Sequence, residues 1–160
     1  MTPVTLRRLA FLSLALLALT VAPLHAQREK LPLDDLDLVE KKWPNAKRTY
    51  TGLRYVVVKP GKGGGTAEPG MVATVLYKGT LLDGTVFDES PDADHPLKAR
   101  IGRSELIEGW DEALQKMHAG EKWILIVPPE MAYGARGKPP KIGRNATLVF
   151  EMEMVSFGKN

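Results

Sequence analysis

The side chains that usually perform acid–base or nucleophilic chemistry are few in this sequence. Beyond the first 26 residues there are two histidines, His95 in the charged turn DADHPLK and His118 in the last turn of a predicted helix. No serine lies in a nucleophile-elbow pattern, and the chain has no cysteine, which excludes thiolate catalysis and Cys-based zinc sites. GKGGG lacks the Gly-Lys-Ser/Thr end with which a phosphate loop binds phosphate and metal. The spacing of the carboxylates in PDADH matches no calcium-binding loop. We expect neither a metal nor a cofactor.

Aromatic side chains are distributed instead over several predicted elements. Phe87 is followed by Asp88, and Tyr133 lies in AYGARG. A hydrophobic core alone accounts for single aromatic residues, and for Phe150 it is the simpler interpretation. The combination is more specific, and its members are Tyr77, Phe87, Trp110, Tyr133 and Phe150.

The elements that must position these side chains are mostly strands. Alternating or continuous apolar runs bounded by Gly and Pro predict them. Asp83 and Gly84 predict a tight hairpin with a type I′ turn. The predicted strands are LRYVVV (53–58), MVATVLYKGTLL (71–82), TVF (85–87), LKARI (97–101), EKWILIV (121–127) and TLVFEMEMV (147–155).

One amphipathic helix is predicted from Leu106 through Met117, ending at a Gly120 C-cap. It places Gly109 beside Trp110, although an interior glycine costs a helix about 1 kcal/mol relative to alanine. The predicted fold class is α+β: an antiparallel sheet with one helix across it. A cleft is expected where the helix end meets the sheet.

The first 26 residues predict a secretory signal peptide. Arg7 and Arg8 precede an apolar run, and small residues end at Ala26. Cleavage after Ala22 and an uncleaved anchor are the alternatives. The full chain has a net charge of +3, and removal of Arg7 and Arg8 would leave 20 basic against 19 acidic residues, or +1. A nearly neutral protein gives no case for a nucleic-acid partner.

The sequence therefore divides into a signal peptide (1–26), an N-terminal arm (27–52) and a domain (53–160). LPLDDLDLVEKKW predicts a short helix before Pro44, and NAKRTYTG predicts a loop. We expect the arm, with Trp43, to be mobile. The arm is too short for a second domain or a dimerisation element, so we expect a monomer.

Three segments resemble the FKBP-type peptidyl-prolyl cis-trans isomerases, in family order and with closely matching spacing. They are VLYKGTLLDGTVFDES (75–90), LIEGWDEALQKMHAGEKWILIVPPEMAYGARG (106–137) and NATLVFEMEMV (145–155). The resemblance, taken with the signal peptide, implies a secreted bacterial member with a half-barrel antiparallel sheet wrapped on one helix. It also implies catalysis of X–Pro bond rotation in exported polypeptides, and inhibition by macrolides of the FK506 type.

The resemblance assigns roles to individual residues. Trp110 would form the floor of an aromatic pocket, Phe87 would contact the substrate proline, and Asp88 would lie at the pocket edge. The backbone N–H of Ile107 would bind a substrate carbonyl, and the Tyr133 hydroxyl would donate from an overhanging loop. The implied catalytic set is Tyr77, Phe87, Asp88 and Tyr133, and the implied substrate-binding set is Leu106, Ile107, Trp110, Ile142 and Phe150.

The sequence departs from the family at Leu97, Ala99 and Lys138. The first two stand where the family usually has bulky aromatic residues, and Lys138 replaces a common histidine. We therefore expect a wider rim and an altered substrate preference. Two alternatives stay open, a non-catalytic FKBP-like binding module and an export-associated chaperone with isomerase as a side activity.

Overall fold

Seven strands and two short helices form the part of the chain that the computed structural model describes, residues 28–90 and 92–159. This arrangement confirms the predicted α+β fold class. The helices are α1 (Leu33–Lys42) and α2 (Glu108–Leu114), and two 3₁₀ turns cover Pro129–Met131 and Gly134–Arg136. The strands are β1 (Lys47–Arg48), β2 (Arg54–Lys59), β3 (Val72–Leu81), β4 (Val86–Glu89), β5 (Leu97–Arg100), β6 (Lys122–Val127) and β7 (Leu148–Gly158).

All strands pair antiparallel in one sheet, in the order β1-β2-β6-β7-β3-β4, with β5 also paired to β3. Strands β4 and β5 pair with different halves of β3. The centre of the sheet is β7, which pairs with β6 on one side and with β3 along its whole length on the other. As the alternation predicts, its buried side chains include Leu148, Phe150, Met152 and Met154.

The hairpin between β3 and β4 has a different turn from the one predicted. Gly84 has a φ of +92°, but Asp83 does not have a positive φ, as a type I′ turn would require. The Gly84 N–H donates to the Leu81 carbonyl at 3.0 Å, and the Leu81 N–H donates to the Thr85 carbonyl at 2.9 Å. This is the pattern of a three-residue loop, a type I turn followed by a left-handed glycine. Asp-Gly suits both turns, so the sequence did not distinguish them.

The predicted end of the long helix at Gly120 is wrong. Helix α2 ends at Leu114, and Gly120, with a φ of +83°, lies in the turn into β6, where its N–H donates to the Met154 carbonyl at 2.7 Å. His118 is likewise beyond the helix, in a bridge with Thr66. Met117 is fully buried in the core but lies outside the helix. Its apolar side chain fits the helical spacing, and for this reason the predicted helix was too long.

Helix α2 lies closely against β6, and Gly109 makes this possible. A Cβ atom at Gly109 would lie 2.6 Å from Val127 Cγ1, far inside ordinary van der Waals contact. Trp110, Ala113 and Leu114 are buried on the same helix. The helix-propensity cost of glycine is thus offset by a close approach of helix to sheet.

The N-terminal arm packs on the sheet, which corrects the expectation that it is mobile. Side chains of β6 alternate, so that Trp123 lies in the main core whereas Ile126 lies in a second cluster with Leu31 and Val39. Trp43 packs against this second cluster. Polar contacts add to the packing, including Thr147 Oγ1 to Asp35 Oδ2 at 2.6 Å and Arg54 to Glu29 at 2.8 Å.

The predicted helix of the arm is confirmed as α1, but its predicted loop contains β1, which pairs with β2. The division at residues 52 and 53 stays a prediction. The predicted signal peptide lies outside the described residues. Within the described ranges, no helix is long and apolar enough to cross a membrane.

Candidate functional site

Four aromatic rings from four elements meet beside the start of α2. The Trp110 ring meets the Tyr77 ring edge-to-face, with centroids 4.9 Å apart and planes at 81°. The Phe150 ring meets Trp110 at 5.2 Å and 81°, and Phe87 meets Phe150 at 5.6 Å and 88°. Such perpendicular contacts fix each ring through its neighbours. Four of the five aromatic residues grouped from the sequence therefore form one connected wall.

The sheet register brings the rings of this wall together. Tyr77 lies on β3, Phe87 on β4 and Phe150 on the central strand β7, directly opposite Gly79 of β3. A Cβ atom at Gly79 would lie 2.7 Å from the Phe87 ring and 2.9 Å from the Phe150 ring. A glycine inside a strand is expected where other groups approach closely. The sequence signal for this was present in YKGT, but it was not used.

A hydrogen bond between Tyr77 and Asp88 lies at the edge of the aromatic wall. The Tyr77 hydroxyl donates to Asp88 Oδ2 at 2.9 Å, and the Glu89 N–H donates to Asp88 Oδ1 at 3.1 Å. Burial, followed by the hydrogen bond to the Asp88 carboxylate, raises the pKa of Tyr77 to about 12. Tyr77 is therefore a neutral donor that holds Asp88 in place at any physiological pH.

Two further donors have no hydrogen-bond acceptor among the described residues. The N–H of Ile107, the residue that precedes α2, makes no hydrogen bond there, although the Ile107 carbonyl accepts from Trp110 N at 2.9 Å and from Asp111 N at 3.1 Å. The Tyr133 hydroxyl, on the loop after β6, also makes none. Both donors are therefore available to the carbonyl oxygens of a bound chain.

These groups line an open cavity of about 530 Å³. This is within the size range of small-ligand pockets, which are mainly apolar with a few polar groups. Trp110 is 5% exposed and belongs to the main hydrophobic core. The lining residues are Tyr77, Phe87, Asp88, Leu97, Ser104, Glu105, Leu106, Ile107, Glu108, Trp110, Asp111, Ala132, Tyr133 and Phe150.

A second cavity of about 290 Å³ adjoins the first and shares Phe87, Asp88 and Tyr133 with it. Ile142, which was grouped with the substrate-binding residues, lies here and not in the main cavity. The remaining lining comes from the loop at residues 138–141. This cavity extends the pocket towards that loop.

The structure thus brings every predicted site residue into one of two adjoining cavities, while their roles remain predictions. Leu97 lines the main cavity, whereas Ala99 is buried on β5 and does not. Sequence reasoning missed Lys141, whose Nζ donates to the Phe87 carbonyl at 2.8 Å. It also missed the acidic residues on the rim, such as Glu105, because exposed carboxylates carry no distinguishing spacing.

Comparison with known proteins agrees with the geometry. The family model for FKBP-type peptidyl-prolyl cis-trans isomerase matches residues 63–155. Peptidyl-prolyl cis-trans isomerase Fkbp12 of Drosophila melanogaster is 43% identical over 104 residues, which are 65% of this chain and 96% of that protein. FK506-binding protein 1A of Aspergillus fumigatus is 41% identical over 104 residues, 65% of this chain and 93% of that protein.

A bacterial relative extends further along the chain. Outer membrane protein MIP of Legionella longbeachae is 39% identical over 136 residues, which are 84% of this chain and 56% of that protein. Residues 63–155 contain the aromatic wall and the lining residues of both cavities. With the family model covering more than half of its length, the chain belongs to the FKBP-type peptidyl-prolyl cis-trans isomerase family.

Proposed function

We propose that this chain accelerates X–Pro bond rotation in exported polypeptides, and that the bond is held in the aromatic cavity above Trp110. The observation that carries the proposal is the combination of an aromatic cavity with two unused donors, the Ile107 N–H and the Tyr133 hydroxyl. A prolyl chain offers an apolar ring with a carbonyl on either side, which matches this combination.

The reaction needs no covalent step. Amide resonance gives a barrier of about 18–20 kcal/mol to rotation, and uncatalysed X–Pro exchange takes tens of seconds or more. The twisted amide loses resonance, and its carbonyl becomes less polar. An aromatic cavity favours this state over the planar amide, which is differential binding of the transition state. The scarcity of histidine and the lack of cysteine are therefore compatible with catalysis.

Each lining group has a definite task in this proposal. The Trp110 ring supports the proline ring from below, and Phe87 and Phe150 enclose it. The Ile107 N–H binds one substrate carbonyl and holds the chain still on that side. Tyr133, with the carboxylate that Tyr77 positions, lies beside the carbonyl of the residue before proline and orients it as it turns.

Export is supported by the first 26 residues and by the bacterial relative. The order of basic, apolar and small residues is that of a signal peptide, and the Legionella longbeachae relative is named an outer membrane protein. We therefore place the mature protein, beginning at Gln27, in the periplasm or outside the cell, as a monomer. N-terminal sequencing of the exported protein should give Gln27, and recovery of Met1 in a membrane fraction would contradict export.

An isomerase assay on the protein without residues 1–26 tests the catalytic part. We expect turnover of an X–Pro peptide in a protease-free assay, and inhibition by a macrolide of the FK506 type. Macrolide binding without any turnover would favour the non-catalytic binding module. A lack of both would show that the cavity is not the functional site.

A further inference from the structure

The loop at residues 134–145 gives one side of the site a concentrated positive charge. It contains four basic residues and no carboxylate. Two of them, Lys138 and Lys141, line the second cavity, which shares Phe87 and Tyr133 with the main cavity. The four basic residues are Arg136, Lys138, Lys141 and Arg144.

Both lysines of the second cavity contact residues that also line the main cavity. Lys141 Nζ donates to the Phe87 carbonyl at 2.8 Å, which leaves two of its three ammonium hydrogens for other acceptors. Lys138 Nζ lies 5.4 Å from the centre of the Tyr133 ring, within cation–π range. These contacts hold two exposed positive charges next to Phe87 and Tyr133.

Asp88 is the one carboxylate that lines the second cavity within the described residues. Its Oδ2 accepts from Tyr77 and its Oδ1 from the Glu89 N–H. The lysines outnumber it, so the cavity wall is net positive. An additional carboxylate at this wall would find unused ammonium donors.

The part of the main cavity that residues 104–112 line has the reverse charge. Residues 104–112 contain four carboxylates and no basic residue. Glu105, Glu108 and Asp111 line the main cavity on that side. The site is therefore positive at the loop and negative at the start of α2.

We propose that the lysine-lined cavity gives this isomerase a preference for an acidic residue directly before the proline. The proposal rests on the proposed function, in which Tyr133 and Asp88 lie beside the carbonyl of that residue. Because the second cavity is built on the same two residues, the side chain before the proline lies nearest to Lys138 and Lys141. A glutamate there pairs with an ammonium, and a lysine is repelled.

Three peptides that differ only before the proline test this preference: Ala-Glu-Pro-Phe, Ala-Gln-Pro-Phe and Ala-Lys-Pro-Phe. Glutamine matches glutamate in shape and lacks its charge. We expect kcat/KM for the Glu peptide to exceed that for the Gln peptide by about threefold, the size expected for an exposed ion pair. The Lys peptide should fall below the Gln peptide. High salt should reduce both differences, because it screens exposed charges.

Variants of the two lysines identify the source of the preference. The double variant Lys138→Gln/Lys141→Gln should bring the Glu/Gln ratio to about one, and Lys138→Glu should bring it below one. Lys141→Arg keeps both the charge and a donor for the Phe87 carbonyl, so it should keep the ratio. Lys62→Glu, on an exposed loop away from the pocket, is the control, because it changes the net charge by −2, as the double variant and Lys138→Glu do.

A wild-type Glu/Gln ratio of one or less would overturn the preference, and so would an unchanged ratio in the double variant. If none of the peptides is isomerised, the isomerase proposal fails separately. The Kd values of the Glu and Gln peptides then decide the preference on their own. The preference is supported if the Glu peptide has a lower Kd than the Gln peptide and this difference disappears in the double variant. Equal Kd values for the two peptides refute it.

Discussion

Replacing Gly109 by alanine tests whether the pocket floor depends on the close packing of α2 against β6. Helix propensity alone favours the alanine variant by about 1 kcal/mol. In the structure, however, the new Cβ would lie 2.6 Å from Val127 Cγ1 and 3.2 Å from Cγ2. Val127 is fully buried, on a strand hydrogen-bonded to both β2 and β7, so it has no room to retreat. The helix must move instead.

The expected magnitudes follow from this contact. Overpacking a core typically costs about 1–3 kcal/mol, so after the gain in propensity we expect Gly109→Ala to lower the free energy of unfolding by about 1 kcal/mol. Restoring an ordinary 3.4 Å contact needs a shift of roughly 0.8 Å. Trp110 would move with the helix, and a misplacement of about 1 Å can cost about 100-fold in rate. We expect kcat/KM to fall by about 10- to 100-fold.

Urea unfolding and the isomerase assay, applied to a double-mutant cycle, measure both effects. Val127→Ala removes the two methyl groups that the new Cβ would meet, so Gly109→Ala/Val127→Ala should regain part of the lost activity. The coupling between the two changes should exceed about 0.5 kcal/mol. Gly65→Ala is the matched control, since a Cβ there meets no atom within 4 Å. Full activity and stability in Gly109→Ala, with additive effects in the cycle, would refute this reasoning.

Phe87→Ala and Asp88→Leu should each lower kcat/KM at least tenfold, or about 1.4 kcal/mol of transition-state stabilisation, with an unchanged circular dichroism spectrum; wild-type rates would remove them from the site. The activity should stay constant with pH up to about 9, because the Tyr77 pKa is raised to about 12. Since this folded-state pKa lies above the unfolded value of 10.0, the stability contributed by the phenol is complete below pH 10 and is lost as the pH rises towards 12, and Tyr77→Phe should remove that loss. A macrolide should change Trp110 fluorescence saturably in a protein whose other two tryptophans are replaced by phenylalanine; an active protein without this signal would place the pocket elsewhere.

Elements with apolar residues at every second position could be predicted from the sequence. In β7 Leu148, Phe150, Met152 and Met154 are all buried, so the period of two gives both the strand and its inner face, although Val149 is buried as well. The helix prediction was less accurate at its end. Met117 continues the helical spacing, but the helix ends at Leu114, and Met117 reaches the core from the segment beyond the helix.

Features that depend on two distant segments could not be predicted from local pattern. The packing of α1 on the outer side of β6 requires knowing that Ile124 and Ile126 face away from the main core, and a continuous apolar run hides that alternation. The contact of Lys141 with the Phe87 carbonyl joins residues 54 positions apart. The family resemblance supplied the candidate pocket, because the aromatic residues themselves show no common spacing.

The central position of β7 has a consequence for the order in which the protein can be made. Strand β7 follows the other six strands of the described residues along the chain, yet it joins β6 to β3, so that Val72 pairs with Gly158. A nascent chain that lacks β7 has two separate groups of strands, β1-β2-β6 and β3-β4-β5, with their apolar faces uncovered. Pairing across such distances is slow, and the incomplete chain is prone to aggregate. The sheet is therefore completed only once β7 has been synthesised.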